Sequence, residues 1–346
     1  MKVAVYEGVR SIRLQERPKP KAAPGEVIVK IKYCGICGTD VHAYLHEGLL
    51  QPGLILGHEN VGTIDEIGEG VEGWKLGERV VAGPPGLCGE CYYCKHGYPT
   101  LCETGFSRTN GLAPGHDGGM AEYMRVREPK TMLHRIPDEV PSEDAVLVDI
   151  MAVGLRGILQ SKFKLGDNVV VVGAGAIGLC VVQWLKLGGA RHITVIQPSQ
   201  KKREFALKLS ADVGLNPLEE GAAIREKVMA LYGGIGADIV YECAGTNPAI
   251  KTSLELTKSG GQVMLLGVNE EETPFVEALL IQRETEIKTS LAYGEDEIRL
   301  CLDFLAQRRF KTEGMVSDII GLDDIVEKGF ERLASTKGLV KVLLAP

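Results

Sequence analysis

Two different patterns of apolar and polar residues divide the chain. In the first third, short runs of apolar residues alternate with charged ones, and glycine and proline interrupt them often; the clearest runs are at 27–31, 61–63 and 79–81. Alternation with a period of two is typical of strands that bury one face. The first third is therefore predicted to be an irregular, β-rich domain.

A different pattern begins near Pro141. Residues 142–159 have helical periodicity, and continuous apolar runs follow at 169–172, 193–196, 238–243 and 262–266, with helical stretches between them. Strands alternating with helices of about ten to fifteen residues are typical of a parallel, doubly wound sheet. This block is predicted to be an α/β domain.

Mixed sequence returns after the α/β block, with a predicted helix at 295–306 and a predicted final strand at 339–344. Because non-α/β sequence flanks the block on both sides, we expect the first domain to be discontinuous. It should comprise residues 1–149 and 291–346, with residues 150–290 forming the α/β domain. A length of 346 residues favours two domains independently of these patterns.

Charge and hydropathy exclude several classes of partner. The net charge of -7 disfavours nucleic-acid binding, which needs a basic surface. No signal peptide is expected, because arginines and a lysine follow the first strand where an apolar segment would be required. The uncharged stretch 169–185 is shorter than the roughly 20 residues of a membrane span and contains glycines, so we expect no membrane segment.

The cysteine count favours metal binding over disulfides. There are nine cysteines, an odd number, and no secretion signal. A disulfide framework is therefore disfavoured, and a reducing, cytoplasmic location is expected.

Four cysteines are concentrated in the loop 84–103, namely Cys88, Cys91, Cys94 and Cys102. Four thiolates this close together suit one tetrahedral zinc, and the prolines and glycines among them let the chain coil around the ion. A site made of four sulfurs has no open position, so this zinc is predicted to be structural. The alternative is a surface loop with free thiols.

A second set of metal-ligand types is more scattered. Cys37 lies in CGICGTDVH, and His58 and Glu59 lie in GHENVG. A catalytic zinc needs three protein ligands and an exchangeable fourth position, and a sulfur and an imidazole are suitable ligands. The separation in sequence is weak evidence alone, since a single cysteine is more often part of a core.

A glycine-rich turn follows the apolar run 169–172. It contains Gly173, Gly175, Ile177 and Gly178, in the pattern GxGxxG between a predicted strand and a predicted helix. In this context the first glycine permits a tight turn, the second lets a pyrophosphate approach the backbone, and the third permits close helix packing. The turn predicts a dinucleotide site.

The position that usually holds an acidic residue against the ribose of NAD is Gln197. An amide can still bond a ribose hydroxyl, but it does not repel a 2′-phosphate. Ser199, Lys201, Lys202 and Arg203 follow and could accept that phosphate, or the lysines and Arg203 could form a solvated helix face. The sequence leaves NAD and NADP equally open.

Together these motifs resemble the zinc-containing medium-chain alcohol and polyol dehydrogenases. The resemblance runs along essentially the whole chain and rests on CGICGTDVH, GHENVGTIDEIGEGVEGWKLGERV, the cysteine loop and VVVVGAGAIGL, in that order. It implies a discontinuous GroES-like catalytic domain with a structural zinc lobe, and a Rossmann dinucleotide domain.

The resemblance also implies a catalytic zinc held by Cys37, His58 and a residue near the domain junction. Asp149, in VDIMAVGLRG, occupies that position, although it could instead cap a helix. Glu59 matches an acidic residue that either binds the metal or yields to water. Asp40 matches the carboxylate that orients the histidine ligand.

Further residues follow from the same resemblance. Thr39 and His42 match a proton relay from substrate to solvent, although each could be an ordinary cap or surface residue. Arg203 matches a basic residue that NAD users also have. The cofactor edge of the sheet should include Ala244, Gly245, Gly267 and Val268, with Ser290 and Leu291 near the nicotinamide.

The implied activity is hydride transfer between NAD(P) and a secondary alcohol, diol, polyol or hydroxy amino acid, with small-molecule alcohols and ketones as partners. A homo-oligomer, tetramer or dimer, is expected. The alternatives are a zinc-free reductase of activated carbonyls or alkenes, and a non-catalytic zinc-binding protein. The substrate pocket is predicted to be lined by Ile36, Leu45, Leu49, Trp74, Phe106 and residues near Tyr293.

Overall fold

The computed structural model describes residues 1–83, 86–336 and 338–346. Pro84 and Pro85, the first two residues of the expected cysteine loop, lie outside the described residues. The chain forms two compact units. The first consists of Met1–Asp149 and Tyr293–Pro346, and the second of Ile150–Ala292. The sequence-based expectation placed the return to the first domain at residue 291.

The strands and helices are numbered in chain order. The strands are β1 Lys2–Gly8, β2 Ser11–Glu16, β3 Val27–Gly35, β4 Glu59–Ile67, β5 Arg79–Ala82, β6 Tyr123–Val126, β7 Leu133–Arg135, β8 Asn168–Val172, β9 His192–Ile196, β10 Val213–Leu215, β11 Ala237–Glu242, β12 Thr257–Leu265, β13 Glu286–Thr289, β14 Val316–Gly321 and β15 Lys341–Ala345. The α-helices are α1 Gly38–Leu45, α2 Tyr92–Lys95, α3 Pro129–Met132, α4 Ser142–Ala145, α5 Val148–Gln160, α6 Ala176–Leu187, α7 Gln200–Lys208, α8 Pro217–Glu220, α9 Ala223–Leu231, α10 Asn247–Leu256, α11 Glu277–Arg283, α12 Glu295–Ala306 and α13 Arg332–Ser335. A π-helical segment, Ile325–Glu331, leads into α13.

The first unit is built on a seven-stranded mixed sheet. Its strands run in the order β14-β15-β3-β4-β5-β7, with β6 also paired to β3. Gly35 at the end of β3 lies opposite Glu59 on one side and Leu343 on the other. This register brings the start of β4 and the C-terminal strand β15 to the same place, although they are far apart in sequence.

The core of the first unit lies where β1 and β3 to β6 pack against the returning C-terminal segment. Its fully buried members include Val27, Ile64, Met124, Phe330 and Val342. The apolar positions of the alternating sequence pattern are thus the ones that face inward, as expected for half-buried strands.

The second unit contains a six-stranded sheet in the order β10-β9-β8-β11-β12-β13, and all its strand pairs are parallel. The valines of β8 at 169–171 are completely buried, because neighbouring strands and helices cover them. A second apolar cluster packs α9 and α10 onto this sheet through residues such as Val228 and Leu254.

The fold class predicted from the sequence is confirmed. The runs at 169–172 and 193–196 form β8 and β9, and α12 spans the predicted 295–306. The predicted helix 142–159 is two helices, α4 and α5, interrupted at Val146 and Leu147. The short elements β10, β13 and α11 carry no strong pattern, and the sequence did not predict them. Within the described residues, no helix is long and apolar enough to cross a membrane.

Candidate metal centres and dinucleotide site

His58 and Glu59 lie at the start of β4, directly after a tight turn. Gly57, just before them, has a φ of +97°, and a Cβ there would lie 2.4 Å from Cys34 Sγ. Only glycine fits this turn without displacing its neighbours. His58 and Glu59 are therefore held in place by backbone geometry, and both are buried.

The N-terminus of α1 positions the other ligand types. Cys37 precedes the first residue of α1, and its N–H donates to Asp40 Oδ2 at 2.9 Å. Cys37 Sγ lies 3.7 Å from Thr39 Oγ1. Asp40 is completely buried, and its Oδ1 lies 3.7 Å from His58 Nδ1. One short helix thus fixes the thiol, the hydroxyl and a carboxylate beside the imidazole.

Three side chains form a candidate metal centre. The ligand atoms of Cys37, His58 and Glu59 all lie within 4.8 Å of one another. His58 Nδ1 and Glu59 Oε2 are buried and have no hydrogen-bond partner among the described residues. Such atoms are costly to leave unsatisfied. A sulfur, an imidazole and a carboxylate are the donor set that zinc takes, so these residues fit that ion.

The charges in and around the group of Cys37, His58 and Glu59, called the cluster below, favour a bound cation. Burial lowers the pKa of His58, but the negative charges of Cys37 and Asp40 raise it more, so that the net pKa is well above its usual value. Burial and the neighbouring charge of Glu59 raise the pKa of Asp149 to about 6. Acidic groups thus outnumber basic ones in a buried space, and a cation would relieve their repulsion.

Asp149, the expected third ligand, lies in the first turn of α5. It is not part of the group within 4.8 Å. Its Oδ2 accepts a hydrogen bond from the hydroxyl of Tyr293, and both residues are buried. Its charge nevertheless helps to raise the pKa of His58, which places it beside the cluster.

A buried ion pair completes the surroundings of Glu59. Lys341 Nζ donates to Glu59 Oε1 at 2.6 Å and to Ile36 O at 3.3 Å. The two side chains are 3% and 0% exposed. Lys341 was not among the predicted site residues, although a lysine at the start of the apolar strand β15 is a signal for a buried partner.

The four cysteines predicted to bind a structural zinc form the second group. Their sulfur atoms also lie within 4.8 Å of one another. Cys88 Sγ lies 3.5 Å from Cys102 Sγ and 3.9 Å from Cys94 Sγ. Four zinc–sulfur bonds of about 2.3 Å in a tetrahedron place the sulfurs roughly 3.8 Å apart, so the loop fits this ion.

Backbone amides prepare the cysteine loop for a metal. The N–H groups of Glu90 and Cys91 donate to Cys88 Sγ and lower its pKa to about 6. Cys94 N donates to Cys91 Sγ at 3.5 Å, and Cys88 N donates to Cys102 Sγ at 3.4 Å. Amide donors stabilise the thiolate form, which is the form that binds zinc.

The glycine-rich turn lies between β8 and α6. Gly173 has a φ of +95°, and a Cβ there would approach Ala244 N to 2.9 Å. A Cβ on Gly178 would lie 1.9 Å from Gly173 O, whereas one on Gly175 would meet no atom within 4 Å. The first and third glycines are thus required by packing, and the second faces open space next to the first amides of α6.

Two further loops meet at the carboxyl edge of this sheet. Glu242 Oε1 accepts the N–H groups of Ala244 at 2.7 Å and Gly245 at 2.9 Å, and Glu242 O accepts that of Gly267 at 3.0 Å. Glu242 is completely buried, whereas Val268 is 74% exposed. One buried glutamate therefore holds both expected cofactor loops, the first through its carboxylate and the second through its backbone carbonyl.

The end of β9 lies directly beside the glycine-rich turn, because Gly173 N donates to Ile196 O at 2.9 Å. Gln197 Oε1 accepts the N–H of Ser199 at 3.1 Å. The Arg203 guanidinium donates to the carbonyls of Gln197 and Pro198 at 2.7 and 2.6 Å. Arg203 thus braces the loop backbone.

The predicted pocket residues do not all lie near the cluster. Trp74 stacks against Arg135, with the guanidinium carbon 4.3 Å from the ring centre, and lines a cavity of about 700 Å³ that the cluster residues do not line. Phe106 is 57% exposed. Ile36 and Tyr293 are buried and belong to the surroundings of the cluster through their contacts with Lys341 and Asp149.

The His42 ring packs against the His46 ring, with the ring centres 4.6 Å apart. His42 follows Thr39 by three positions in α1, so the two side chains share a face of the helix.

Comparison with known proteins agrees with this architecture. Residues 23–138 match the alcohol dehydrogenase GroES-like domain, and residues 176–307 match the zinc-binding dehydrogenase family. The chain is 32% identical to (R,R)-butanediol dehydrogenase of Bacillus subtilis (strain 168), covering 100% of both chains. It is 31% identical to sorbitol dehydrogenase of Halalkalibacterium halodurans, covering 99% of this chain and 98% of the relative.

A solved structure is similar over the whole length. It is a zinc-binding dehydrogenase from Sinorhizobium meliloti 1021 bound to NADP, with a TM-score of 0.91 and 30% identity over 100% of this chain and 99% of the other.

Proposed function

The chain belongs to the zinc-containing medium-chain alcohol and polyol dehydrogenases, and we propose that Cys37, His58 and a carboxylate hold its catalytic zinc for oxidation of a secondary hydroxyl in a diol or polyol. The observation that carries this proposal is the buried group of Cys37, His58 and Glu59, in which the carboxylate oxygen Glu59 Oε2 is left unsatisfied. Relatives named for butanediol and sorbitol suggest the substrate class.

Cys37, His58 and the carboxylate would hold a zinc ion that supplies Lewis-acid chemistry, which would make the substrate hydroxyl easier to deprotonate. Asp40 orients the imidazole of His58 and balances its charge. Lys341 binds one oxygen of Glu59 and leaves the other for the metal. The alternative third ligand is Asp149, whose orientation Tyr293 fixes through its hydroxyl.

The proton released from the substrate leaves through Thr39 and His42. Thr39 Oγ1 lies 3.7 Å from Cys37 Sγ and so stands next to the ligand set. His42 lies one turn further along the same face of α1. A hydroxyl followed by an imidazole can pass a proton outward, because an imidazole readily gains and loses a proton near neutral pH.

The second unit binds the dinucleotide. The turn formed by Gly173, Gly175, Ile177 and Gly178 offers the free amides of α6 to the pyrophosphate. Further proposed contacts come from the neighbouring loops at the same edge of the sheet, namely Gln197, Arg203, Ala244, Gly245, Gly267 and Val268. Their placement beside the turn, together with the NADP-bound relative, supports this assignment.

Cys88, Cys91, Cys94 and Cys102 hold the structural zinc. Because all four positions of the tetrahedron are sulfur, this ion takes no part in the reaction and stabilises the loop around it.

Self-association and a cytoplasmic location complete the proposal. Helix α11 buries none of its residues, and its Leu279 and Ile281 are exposed next in sequence to β13, the edge strand of the six-stranded sheet. An apolar surface beside an open strand edge favours a homo-oligomer, a dimer or tetramer. None of the nine cysteines forms a disulfide in the described part of the chain, which favours a reducing compartment.

The test is a panel of vicinal diols and sugar alcohols, each assayed with NAD and with NADP. The Cys37→Ala variant should lose turnover by about a thousandfold, because a Lewis acid supplies several kcal/mol to the reaction. The control is Cys301→Ala, which removes a buried thiol of the same unit outside both cysteine groups. Equal turnover of Cys37→Ala and Cys301→Ala would contradict the proposed mechanism.

A further inference from the structure

The loop after β9 bears on whether the chain binds NAD or NADP, which the sequence left open. It lies beside the glycine-rich turn, so it faces the adenosine end of a dinucleotide whose pyrophosphate lies on α6. This argument rests on the dinucleotide site of the proposed function.

The loop offers hydrogen-bond donors where an NAD site offers an acceptor. A carboxylate normally accepts both ribose hydroxyls in NAD sites. Residues 197–203 read QPSQKKR and contain no carboxylate. Gln197 Oε1 already receives the N–H of Ser199 at 3.1 Å, so the NH₂ group is the part of this side chain that remains for a ligand.

Ser199 adds a second free polar group. It precedes the first residue of α7, a position where a serine hydroxyl usually accepts a helix amide. Its side chain makes no such bond. Both the hydroxyl and the first amides of α7 therefore remain available to an anion.

Lys202 differs from the neighbouring cations of this loop in its burial and position. It lies four residues before Ala206 and seven before Leu209, both of which are buried, so the three share the inward face of α7. Lys202 is half-buried, whereas Lys201 is exposed. Because Lys202 belongs to the first turn of α7, its position lies at the end of the helix nearest the carboxyl edge of the sheet.

Nothing in the described part of the chain neutralises Lys202. No ion pair or hydrogen bond joins it to any other described residue, and burial alone lowers the pKa of its ammonium group. A solvated helix face, the alternative to a phosphate site, explains Lys201 but not a half-buried lysine. Arg203 is already engaged with the loop carbonyls.

We infer that this chain selects NADP over NAD, and that Lys202 is the specificity-determining residue that binds the 2′-phosphate. The NH₂ group of Gln197 and the hydroxyl of Ser199 add neutral donors to the same phosphate. Without the phosphate, the adenosine ribose would meet donors and a cation where its hydroxyls need an acceptor.

The test compares binding of adenosine 2′,5′-bisphosphate and adenosine 5′-monophosphate to the zinc-loaded protein by calorimetry. The readout depends on neither turnover nor substrate. The wild type should bind the bisphosphate at least about tenfold more tightly, the increment expected of one charged hydrogen bond. Lys202→Ala should abolish this preference and leave the affinity for the monophosphate unchanged.

The matched control is Lys201→Ala, which removes the same charge from the exposed neighbour and should change the preference less than about twofold. Lys202→Met, which keeps the apolar stem, should behave like Lys202→Ala and exclude a packing effect. Equal binding of the two nucleotides by the wild type, or equal effects at 201 and 202, would overturn the inference while leaving a dinucleotide site intact. Failure of both nucleotides to bind would overturn the site itself.

Discussion

Replacing Lys341 with methionine tests the buried ion pair next to the candidate metal centre. Lys341 Nζ lies 2.6 Å from Glu59 Oε1 in a place where neither side chain reaches solvent. Methionine keeps most of the apolar stem and removes the charge. The carboxylate of Glu59 then remains buried without its cation, and the carbonyl of Ile36 loses a donor.

The expected cost is large because the pair is fully desolvated. Breaking a buried ion pair from one side costs about 3–5 kcal/mol. In a unit of roughly 200 residues, each kcal/mol lowers Tm by about 2–4 °C. The Lys341→Met variant should therefore melt roughly 6–20 °C below the wild type, with the first unit as the one that loses stability.

Scanning calorimetry measures this shift in protein whose catalytic zinc has been removed by a chelator, because a zinc ion bound to Glu59 would partly replace the lost charge. Lys2→Met is the matched control, because Lys2 pairs with Asp323 at the exposed surface and such a pair contributes about 0–1 kcal/mol. Adding Glu59→Gln to Lys341→Met should recover part of the lost stability, since no charge is then left unpaired. A Tm for Lys341→Met within about 2 °C of the wild type would show that the buried pair does not carry this stability.

The relay and one buried histidine give two further predictions. Thr39→Val should lower kcat by at least about a hundredfold with little change in zinc content, because the proton loses its first acceptor; unchanged kcat would remove Thr39 from the relay. Burial, helped by Arg299, lowers the pKa of His134 from its usual 6.5 to about 4. The unfolded chain thus binds more protons between pH 4 and 6.5, so about 3 kcal/mol of stability is present above pH 6.5 and is lost as the pH falls to 4. Urea unfolding should show this dependence, and His134→Gln should flatten it; an equally steep dependence in the variant would contradict the assignment.

Local signals in the sequence predicted much of the fold. The valine run of β8 followed by GAGAIG needs only neighbouring residues to be interpreted, because strand, turn and helix are consecutive. The cysteine loop is also a local signal, because four potential ligands within a short segment are enough to predict a tetrahedral zinc site. The non-α/β sequence on both sides of the α/β block then indicated a discontinuous first domain.

Contacts between distant segments could not be predicted in the same way. Lys341 meets Glu59 across 282 positions and Tyr293 meets Asp149 across 144, and both contacts arise only when the C-terminal segment returns to the sheet of the first unit. Trp74 is a further example, because its cation–π contact with Arg135 lies 61 positions away in sequence and no local pattern indicates it.

The predicted helix 142–159 shows how a continuous apolar pattern hides a break. Leu147 and Val146 are buried and fit the helical periodicity, yet the chain ends α4 and begins α5 around them. This second start places Asp149 in the first turn of α5, beside the cluster. Periodicity alone carries no signal for such a restart, because both helices bury the same kind of residue.

The most direct test of the account is the zinc content of the His58→Ala variant, measured by mass spectrometry together with diol oxidation. The wild type should carry about two zinc ions per chain, one in each group. His58→Ala should retain about one, held by the four cysteines, and should lose diol oxidation while keeping the far-ultraviolet spectrum of the folded chain. A variant that retains both ions and full turnover would contradict the claim that Cys37, His58 and Glu59 form the catalytic metal centre.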